Sequence, residues 1–243
     1  VIDPATGAVE RLYDRCGDNP LKGPNDIVFD PRRGFWFTDL GKVRRRDRDH
    51  GGVYWAEADG SRIVEVAYPV FGGANGIGLS PDGGVLYVAE TETGRLWAWG
   101  LQRDGELSPL YAGDLAYLNQ GAELVGRTSE FRYFDSLAVT ASGDVVVATL
   151  GEPGGLTVFE ATTGAQRFVT LEGPGVPAET FVTNLCFGGP DLRTAFITFS
   201  TAGLLVAADW PAEGHRLPHS RPRLQGLGAS HPQPSGLDKK ADS

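Results

Sequence analysis

The fold is decided by a segment that reads Asn-Asp-Ile-Val-Phe-Asp-Pro-Arg-Arg-Gly-Phe-Trp-Phe-Thr-Asp over residues 25–39. A polar residue opens it, apolar residues alternate, a Pro/Gly turn follows, and a second apolar run ends it. The same pattern returns in residues 75–91 (Asn-Gly-Ile-Gly-Leu-Ser-Pro-Asp-Gly-Gly-Val-Leu-Tyr-Val-Ala-Glu-Thr), 135–149 and 183–198. Alternation around turn residues predicts β-strands, and a recurring unit predicts a repeat architecture.

The period of the repeat limits the choice of all-β folds. The apolar residue before the turn is Phe29, Leu79, Val139 or Phe187, so successive units lie 50, 60 and 48 residues apart. A second hairpin follows in the units, which gives four antiparallel strands per unit. The sequence therefore predicts an all-β fold, a six-bladed-type β-propeller of four-stranded antiparallel blades. A β-sandwich also has many short strands, but it does not repeat a four-strand unit.

The units divide the chain. Blade units start near residues 21, 71, 131 and 180, and residues 1–218 are predicted to form one propeller domain. Residues 1–20 resemble the outer part of a preceding blade. We therefore expect about four to four and a half blades, with the propeller incomplete at its N-terminus. Residues 219–243 are rich in Pro, Ser, Gly and charge, a composition that predicts a disordered tail.

Composition excludes several classes of protein. The 243 residues include 22 Lys and Arg against 31 Asp and Glu, a net charge of −9, and no basic tract suits a nucleic-acid backbone. No apolar run approaches the roughly 20 residues that span a bilayer. The two cysteines, Cys16 and Cys186, are expected to be reduced thiols. We expect a cytoplasmic protein, a monomer or weak oligomer, that binds neither nucleic acid nor membrane.

The polar residues that open the repeats form the candidate site. The first strand of a propeller blade is innermost, so Asn25, Asn75, Asp135 and Thr183 are expected to meet at one rim of the central channel. Their oxygen donors suit Ca²⁺ or another hard divalent ion such as Mn²⁺ or Mg²⁺. Zn²⁺ is a further candidate, although the scattered His and Cys residues give it little support. The alternative is that Asn and Asp only satisfy turn backbone groups.

Two connections are expected above that rim. Residues 40–50 carry five basic and two acidic side chains, which either attract an anionic substrate or form a solvated loop. Residues 113–134 form a long connection with both aromatic and polar side chains, which is typical of lids. They include Tyr117, Asn119 and Arg127. Arg127 and Glu90 are further candidates for substrate contacts.

Four strings together resemble one known family. They are Gly-Pro-Asn-Asp-Ile-Val-Phe-Asp-Pro (23–31), Ala-Asn-Gly-Ile-Gly-Leu-Ser-Pro-Asp (74–82), Phe-Asp-Ser-Leu-Ala-Val (134–139) and Thr-Asn-Leu-Cys-Phe-Gly-Gly (183–189). In this order they are similar to the senescence marker protein (regucalcin), gluconolactonase and luciferin-regenerating enzyme family. The resemblance implies a six-bladed propeller with one divalent metal, often calcium, that hydrolyses sugar lactones.

The resemblance also implies residue roles. Asn75 and Asp135 match the family's metal ligands, Asn25 matches the Asn that contacts metal or substrate, and Asp135 matches the proposed catalytic base. The family's remaining ligand, a Glu of the first blade, belongs to a segment that this sequence lacks. Gly23 stands where animal members carry a sugar-binding Arg, which points away from gluconolactone itself.

These features predict a metal-dependent lactonase, a carboxylic ester hydrolase that uses a metal-activated water. Three alternatives remain open: a related propeller esterase or phosphotriesterase, a non-catalytic calcium-binding scaffold, and an inactive fragment. A serine hydrolase is disfavoured because no Gly-x-Ser-x-Gly motif occurs.

Overall fold

A computed structural model describes residues 1–31, 34–70, 72–102, 105–114, 116, 120–173, 176 and 181–218. The predicted tail, residues 219–243, lies outside the described residues, as do Tyr117 and Asn119 of the predicted lid. The strands of the described residues are β1 (Arg15–Cys16), β2 (Asn19–Pro20), β3 (Pro24–Phe29), β4 (Gly34–Asp39), β5 (Gly51–Glu57), β6 (Ile63–Val70), β7 (Ala74–Leu79), β8 (Val85–Glu90), β9 (Arg95–Leu101), β10 (Leu107–Ser108), β11 (Glu123–Arg127), β12 (Tyr133–Val139), β13 (Val145–Leu150), β14 (Gly155–Phe159), β15 (Gln166–Thr170), β16 (Val182–Gly188), β17 (Thr194–Phe199) and β18 (Leu204–Asp209).

The larger sheets are antiparallel blades arranged as a β-propeller, which confirms the predicted fold. The first blade runs β3-β4-β5-β6 and the third runs β12-β13-β14-β15. The second runs β7-β8-β9, and the fourth is described as β16-β17-β18. A separate short hairpin, β1-β2, precedes the first blade.

The second blade completes its outer edge in two pieces. Both β10 and β11 pair with β9, at opposite halves of that strand. The prediction that residues 113–134 form one lid is therefore wrong for Glu123–Arg127, which belong to a sheet. The physical reason is that β9 offered an unpaired edge, and the long connection supplies the strand that pairs with it.

Turn chemistry explains the hairpins between strands. Between β7 and β8, the Gly83 amide donates to the Ser80 carbonyl at 2.8 Å, and Gly83 has a φ of 68°, which favours glycine. The Asp82 carboxylate accepts the N–H of Gly84 at 3.0 Å. These groups close the end of the blade that lies away from the strand openings.

The core lies between neighbouring blades, where apolar faces of adjacent sheets pack against one another. Trp36 and Trp55 of the first blade pack in one cluster with Leu86 and Val88 of the second. A second cluster joins Leu96 and Ala89 of the second blade to Phe134, Val145 and Val147 of the third. A third cluster joins Leu156 and Val158 to Leu185, Ile197 and Phe199 of the fourth. This packing fixes the inner strands side by side.

The segment after β18 crosses the end of the channel opposite the strand openings. Gly214 forms an isolated bridge with Thr140, and the His215 amide donates to the Val139 carbonyl at 2.8 Å. The first residues of the chain instead cover the first blade, where Tyr13, Cys16 and Leu21 pack against Phe37 and Tyr54. Cys16 and Cys186 are both free thiols.

Replacing Tyr13 by phenylalanine should lower the free energy of unfolding by about 1 kcal/mol. Its hydroxyl lies 2.7 Å from the Glu57 carbonyl oxygen and 2.9 Å from that of Arg62, and can donate to either. Denaturant unfolding measures the change, with Tyr68→Phe as control because Tyr68 is exposed. Equal stability of the two variants would contradict an anchoring role for Tyr13.

Candidate functional site

The four inner strands open at one end of the channel in the same register. Pro24 pairs with Asp39, Ala74 with Glu90, Phe134 with Thr149, and Val182 with Phe199. The next residue in each inner strand is one of the four polar residues that the repeat aligned: Asn25, Asn75, Asp135 and Thr183. The structure therefore places all four at the same level of neighbouring blades.

Each inner strand is irregular at that level. The pairing register shifts between Pro24 and Ile27, between Ala74 and Ile77, between Phe134 and Leu137, and between Val182 and Asn184. Such bulges re-aim side chains and are common beside active sites. Because the ladder is interrupted there, local backbone groups need partners from outside their own sheet.

Asn75 is buried beside the channel. Its Nδ2 donates to Thr91 Oγ1 at 3.1 Å, and its backbone carbonyl accepts a hydrogen bond from Thr38 Oγ1 at 2.6 Å. Its side-chain oxygen Oδ1 is buried and has no hydrogen-bond partner in the structure. An unsatisfied buried acceptor is costly, and it marks a place where a cation or water can bind.

Asp135 lies within hydrogen-bonding reach of Asn75 across the gap between the second and third blades. Burial raises the pKa of Asp135 to about 6, and the neighbouring negative charge of Asp26 acts in the same direction. Hydrogen bonds from the Asn75 side chain and the Ser136 backbone lower it. The balance leaves a carboxyl group that exchanges protons near neutral pH.

The sequence reasoning missed Asp26. Its carboxylate accepts the N–H of Ile27 at 2.8 Å and that of Ile77 at 3.3 Å, and it forms a side-chain hydrogen bond with Ser136. Burial raises the pKa of Asp26 as well. The available signal was the doublet Asn25-Asp26, in which a second oxygen donor follows the residue that opens the strand.

Asn25 and Thr183 differ from the two central residues. Asn25 is exposed, and with Asp26 it lines a cavity of about 610 Å³. The Thr183 hydroxyl lies 3.1 Å from the Thr198 hydroxyl of its own blade. Asn75 and Asp135, which share a side-chain hydrogen bond, form the polar centre of the site together with Asp26, whose charge acts on Asp135. Asn25 lies at the open side of this centre.

Glu90 is buried at the end of β8, with both carboxylate oxygens engaged. Oε1 accepts the N–H of Gly72 at 2.6 Å, and Oε2 accepts Trp97 Nε1 at 3.0 Å and the Thr93 hydroxyl. Arg95 Nη1 lies 3.8 Å away. These bonds hold Gly72, which lies just before β7, against the second blade. Contact between Glu90 and a substrate stays a prediction.

Asp39 occupies the same position in the first blade. Its carboxylate accepts the N–H groups of Lys22 at 2.6 Å, Gly23 at 2.7 Å and Gly41 at 2.8 Å. A carboxylate at the end of the second strand therefore caps the segment entering the first strand in both blades, which positions Asn25 and Asn75.

Arg127 lies on the outer strand of the second blade. Arg127, Arg95, Glu90 and Ala74 form one row across the sheet. Three strand spacings separate the ends of that row, about 14 Å. Arg127 is thus at the same end of the blade as Asn75 but at its outer edge, and its contact with a substrate stays a prediction.

The donor chemistry fits a hard divalent cation. Asn75 Oδ1 is an unpartnered buried oxygen, and carboxylate and amide oxygens are the ligands that calcium and similar ions prefer. In the described part of the chain, no group of three or more His, Cys, Asp and Glu residues is arranged to hold a metal. The described residues would thus supply only part of a coordination sphere, from Asn75 and Asp135 with Asn25 beside them.

The raised pKa of Asp135 predicts a pH-dependent stability. Its folded pKa of about 6 exceeds its ordinary value of 3.8, so between these values the native state binds the proton more tightly than the unfolded state. The contribution of Asp135 to the stability of the metal-free protein should therefore fall as pH rises from about 4 to about 6.

The difference in melting temperature between the wild type and Asp135→Asn, followed across that range, isolates this effect from other carboxylates. The variant should gain relative to the wild type as pH rises, and ¹³C NMR of the Asp135 carboxyl should give a midpoint near pH 6. A midpoint near the ordinary value of 3.8 would contradict the desolvated environment.

Comparisons with known proteins place this geometry in a family. The model of the SMP-30/gluconolactonase/LRE-like region matches residues 1–201. The chain belongs to that family. In sequence it is 32% identical over 135 residues to lactonase drp35 of Staphylococcus epidermidis strain ATCC 12228 and 31% identical to lactonase drp35 of Staphylococcus aureus strain USA300. Each match spans 56% of this chain and 38% of the relative.

Solved structures of the SMP-30/gluconolactonase/LRE-like kind share its fold. The calcium-binding protein regucalcin from Agrobacterium tumefaciens strain C58 superposes with a TM-score of 0.64 at 23% identity, over 88% of this chain and 69% of that one. A gluconolactonase from Xanthomonas campestris gives a TM-score of 0.61 at 24% identity, over 82% and 61%. These likenesses support the propeller assignment. In the residues that the structure describes, no helix is long and apolar enough to cross a membrane.

Proposed function

We propose that this chain carries the hydrolytic centre of a divalent-metal-dependent lactonase, with Asn75 and Asp135 as metal ligands and Asn25 at the open side toward metal and substrate. The observation that carries the proposal is the buried, unpartnered Oδ1 of Asn75 beside a carboxyl group whose pKa is raised to about 6. Support comes from the family match and from the drp35 relatives, which are named lactonases.

The reaction is the addition of water to the ester carbonyl of a lactone. The carbon–oxygen bond within the ring then breaks, and the ring oxygen takes up a proton to give a hydroxy acid. A bound divalent metal supplies Lewis-acid polarisation of the carbonyl. Calcium is our first choice for the ion, because all the candidate ligands are oxygens.

The chain's own residues handle the proton. Asp135 accepts a proton from the attacking water and returns it to the leaving ring oxygen. In the metal-free protein burial raises the pKa of Asp135 to about 6, and a bound cation would lower it, so the carboxylate would be ionised and able to accept a proton at neutral pH. Asn75 orients this carboxyl group by donating a hydrogen bond to it, and the Thr38 hydroxyl holds the Asn75 backbone at 2.6 Å.

The proposal is tested first by calorimetric titration with calcium and by thermal melts with and without the ion. A ligand that binds only the native state raises the melting temperature. A lactone panel and an organophosphate panel then separate a lactonase from a phosphotriesterase. Calcium binding without turnover on either panel would favour the non-catalytic scaffold. The absence of both calcium binding and turnover would overturn the proposal.

The matched control is Asp144→Asn. Asp144 lies in the turn before β13, at the other end of the third blade, where its carboxylate accepts the Ala161 N–H at 3.0 Å. This variant changes a carboxylate of the same blade without touching the site. It should bind calcium and hydrolyse lactone as the wild type does.

A further inference from the structure

Asp26 reaches from the first blade to both neighbouring inner strands of the site. Its Oδ2 accepts the backbone N–H of Ile77 in β7 at 3.3 Å. Its carboxylate also bonds the side chain of Ser136 in β12, and Oδ1 accepts the Ile27 N–H of its own strand at 2.8 Å. One carboxylate thus joins three blades at the level where their inner strands bulge.

These bonds end beside the proposed metal ligands. Ile77 lies two residues after Asn75, and Ser136 directly follows Asp135. The register of β7 shifts between Ala74 and Ile77, so the segment carrying Asn75 is not held by regular pairing with β8. Asp26 supplies an acceptor from the adjacent blade at the end of that shift.

A second path runs from Asp26 to Asn75. The Asp26 backbone N–H donates to Thr38 Oγ1 at 3.1 Å, and Thr38 Oγ1 donates to the Asn75 carbonyl at 2.6 Å. The threonine hydroxyl thus accepts one hydrogen bond and donates its single proton, so it links the two backbones. Backbone and side chain of Asp26 therefore restrain β7 independently.

We propose that Asp26 is a positioning residue of this site: it fixes the bulged segments of β7 and β12 so that Asn75 and Asp135 face one another. The part of this inference that concerns metal and substrate rests on the proposed function, whereas the part that concerns the strands does not. Asp26 acts through Asn75 and Asp135 and need not touch the substrate.

A carboxylate suits this role better than an amide. An ionised Asp has only acceptors, and the Ile27 and Ile77 N–H groups that it meets are donors. In Asp26→Asn, one position would carry an NH₂ group, which cannot accept a hydrogen bond. A buried donor would lose its partner while the shape of the side chain is preserved.

The test compares Asp26→Asn with Asp30→Asn. Asp30 directly follows the same strand and is buried, and its Oδ2 lies 3.4 Å from Trp36 Nε1 within the first blade. Hydrogen exchange is followed by mass spectrometry in peptides of β7 and β12. Asp26→Asn should exchange about tenfold faster there, while Asp30→Asn should leave these peptides unchanged.

The calcium Kd and the steady-state constants kcat and KM are measured as well, because a residue that only stabilised the fold would leave them unchanged in the folded protein. In Asp26→Asn the calcium Kd should rise about tenfold. Misplacement of Asp135 should lower kcat by about a hundredfold with little change in KM. If Asp26→Asn folds poorly, Thr38→Val serves as a second variant, because it breaks only the relay to the Asn75 carbonyl. It should also lower kcat with little change in KM, by a smaller factor than Asp26→Asn.

The outcomes separate this inference from the proposed function. Wild-type exchange, Kd and kcat in Asp26→Asn would overturn the positioning role. If the wild type itself neither binds calcium nor hydrolyses lactones, the proposed function fails, and the exchange of β7 and β12 still decides whether Asp26 holds the strands. Unchanged exchange in that case would overturn the inference also.

Discussion

Asp135→Ala is expected to abolish calcium binding and to lower kcat/KM for lactones by about a thousandfold or more, the size of losing a general base. The substitution removes one carboxylate ligand and the proton acceptor together. It also leaves the buried amide of Asn75 without the carboxyl that it now contacts. Calorimetry with calcium and steady-state kinetics on the best lactone of the panel measure both losses.

Stability distinguishes this loss from unfolding. Because burial disfavours the charged form of Asp135, the ionised carboxylate destabilises the metal-free protein above about pH 6. The isosteric Asp135→Asn should therefore melt no lower than the wild type at pH 7.5 without metal, and yet be inactive. Full activity in either variant would remove Asp135 from the mechanism.

Added calcium should reverse the order of the melting temperatures of the wild type and Asp135→Asn. Wild-type protein should gain thermal stability with rising calcium concentration, since the ion binds only the folded site, whereas Asp135→Asn should gain none. The proton competes with the metal for a carboxylate ligand, so wild-type calcium affinity should weaken as pH falls through about 6. Affinity that does not depend on pH would place the ion elsewhere.

The four strand-opening residues could be predicted because they depend on local pattern. The repeat aligns Asn25, Asn75, Asp135 and Thr183, and strand order within a blade requires that they share one end of the channel. This part of the fold follows from spacing alone.

The doublet Asn25-Asp26 could have singled out Asp26 as a candidate residue, but its role could not be predicted, because that role depends on contacts between blades. Nothing in residues 25–39 shows that a carboxylate there meets the Ile77 amide, some fifty residues away. The raised pKa of Asp135 likewise depends on burial and on the charge of Asp26, which lies on another blade. Desolvation of this kind has no local sequence pattern.

The placement of Arg127 shows a different difficulty. The long connection could reach the site face or complete the blade edge, and sequence pattern does not distinguish these. In the structure, Glu123 and Leu124 pair with Ala98 and Trp97, so part of the connection takes the outer position. A free strand edge favours that pairing.

Gly76→Ala should have the largest effect on stability among substitutions at this site. A Cβ on Gly76 would lie 2.5 Å from the Asp135 carbonyl oxygen and 2.8 Å from the Leu137 amide nitrogen. Both are backbone atoms of the adjacent inner strand, which a rotamer change cannot move. We expect a loss of about 3 kcal/mol, as for overpacking of a closely packed core.

The same change should disrupt the site. Gly76 lies between Asn75 and Ile77, opposite Asp135, so separating β7 from β12 would part the Asn75 amide from the Asp135 carboxyl. The Asp26 bond to the Ile77 amide, already 3.3 Å long, would also lengthen. Gly76→Ala should therefore lose calcium affinity at temperatures where it is still folded.

Gly84→Ala is the matched control. Gly84 belongs to the same blade, and the atoms nearest to a Cβ there are those of the Asp82 side chain, at ordinary contact distances of 3.4 Å or more. Alanine also restricts the unfolded chain, which stabilises by about 0.4–1 kcal/mol where the native backbone allows it. Gly84→Ala should consequently be neutral or slightly stabilising, with normal calcium binding. If Gly76→Ala melted and bound calcium like Gly84→Ala, the inner strands could not approach one another as closely as described, and the contact between Asn75 and Asp135 would lose its structural basis.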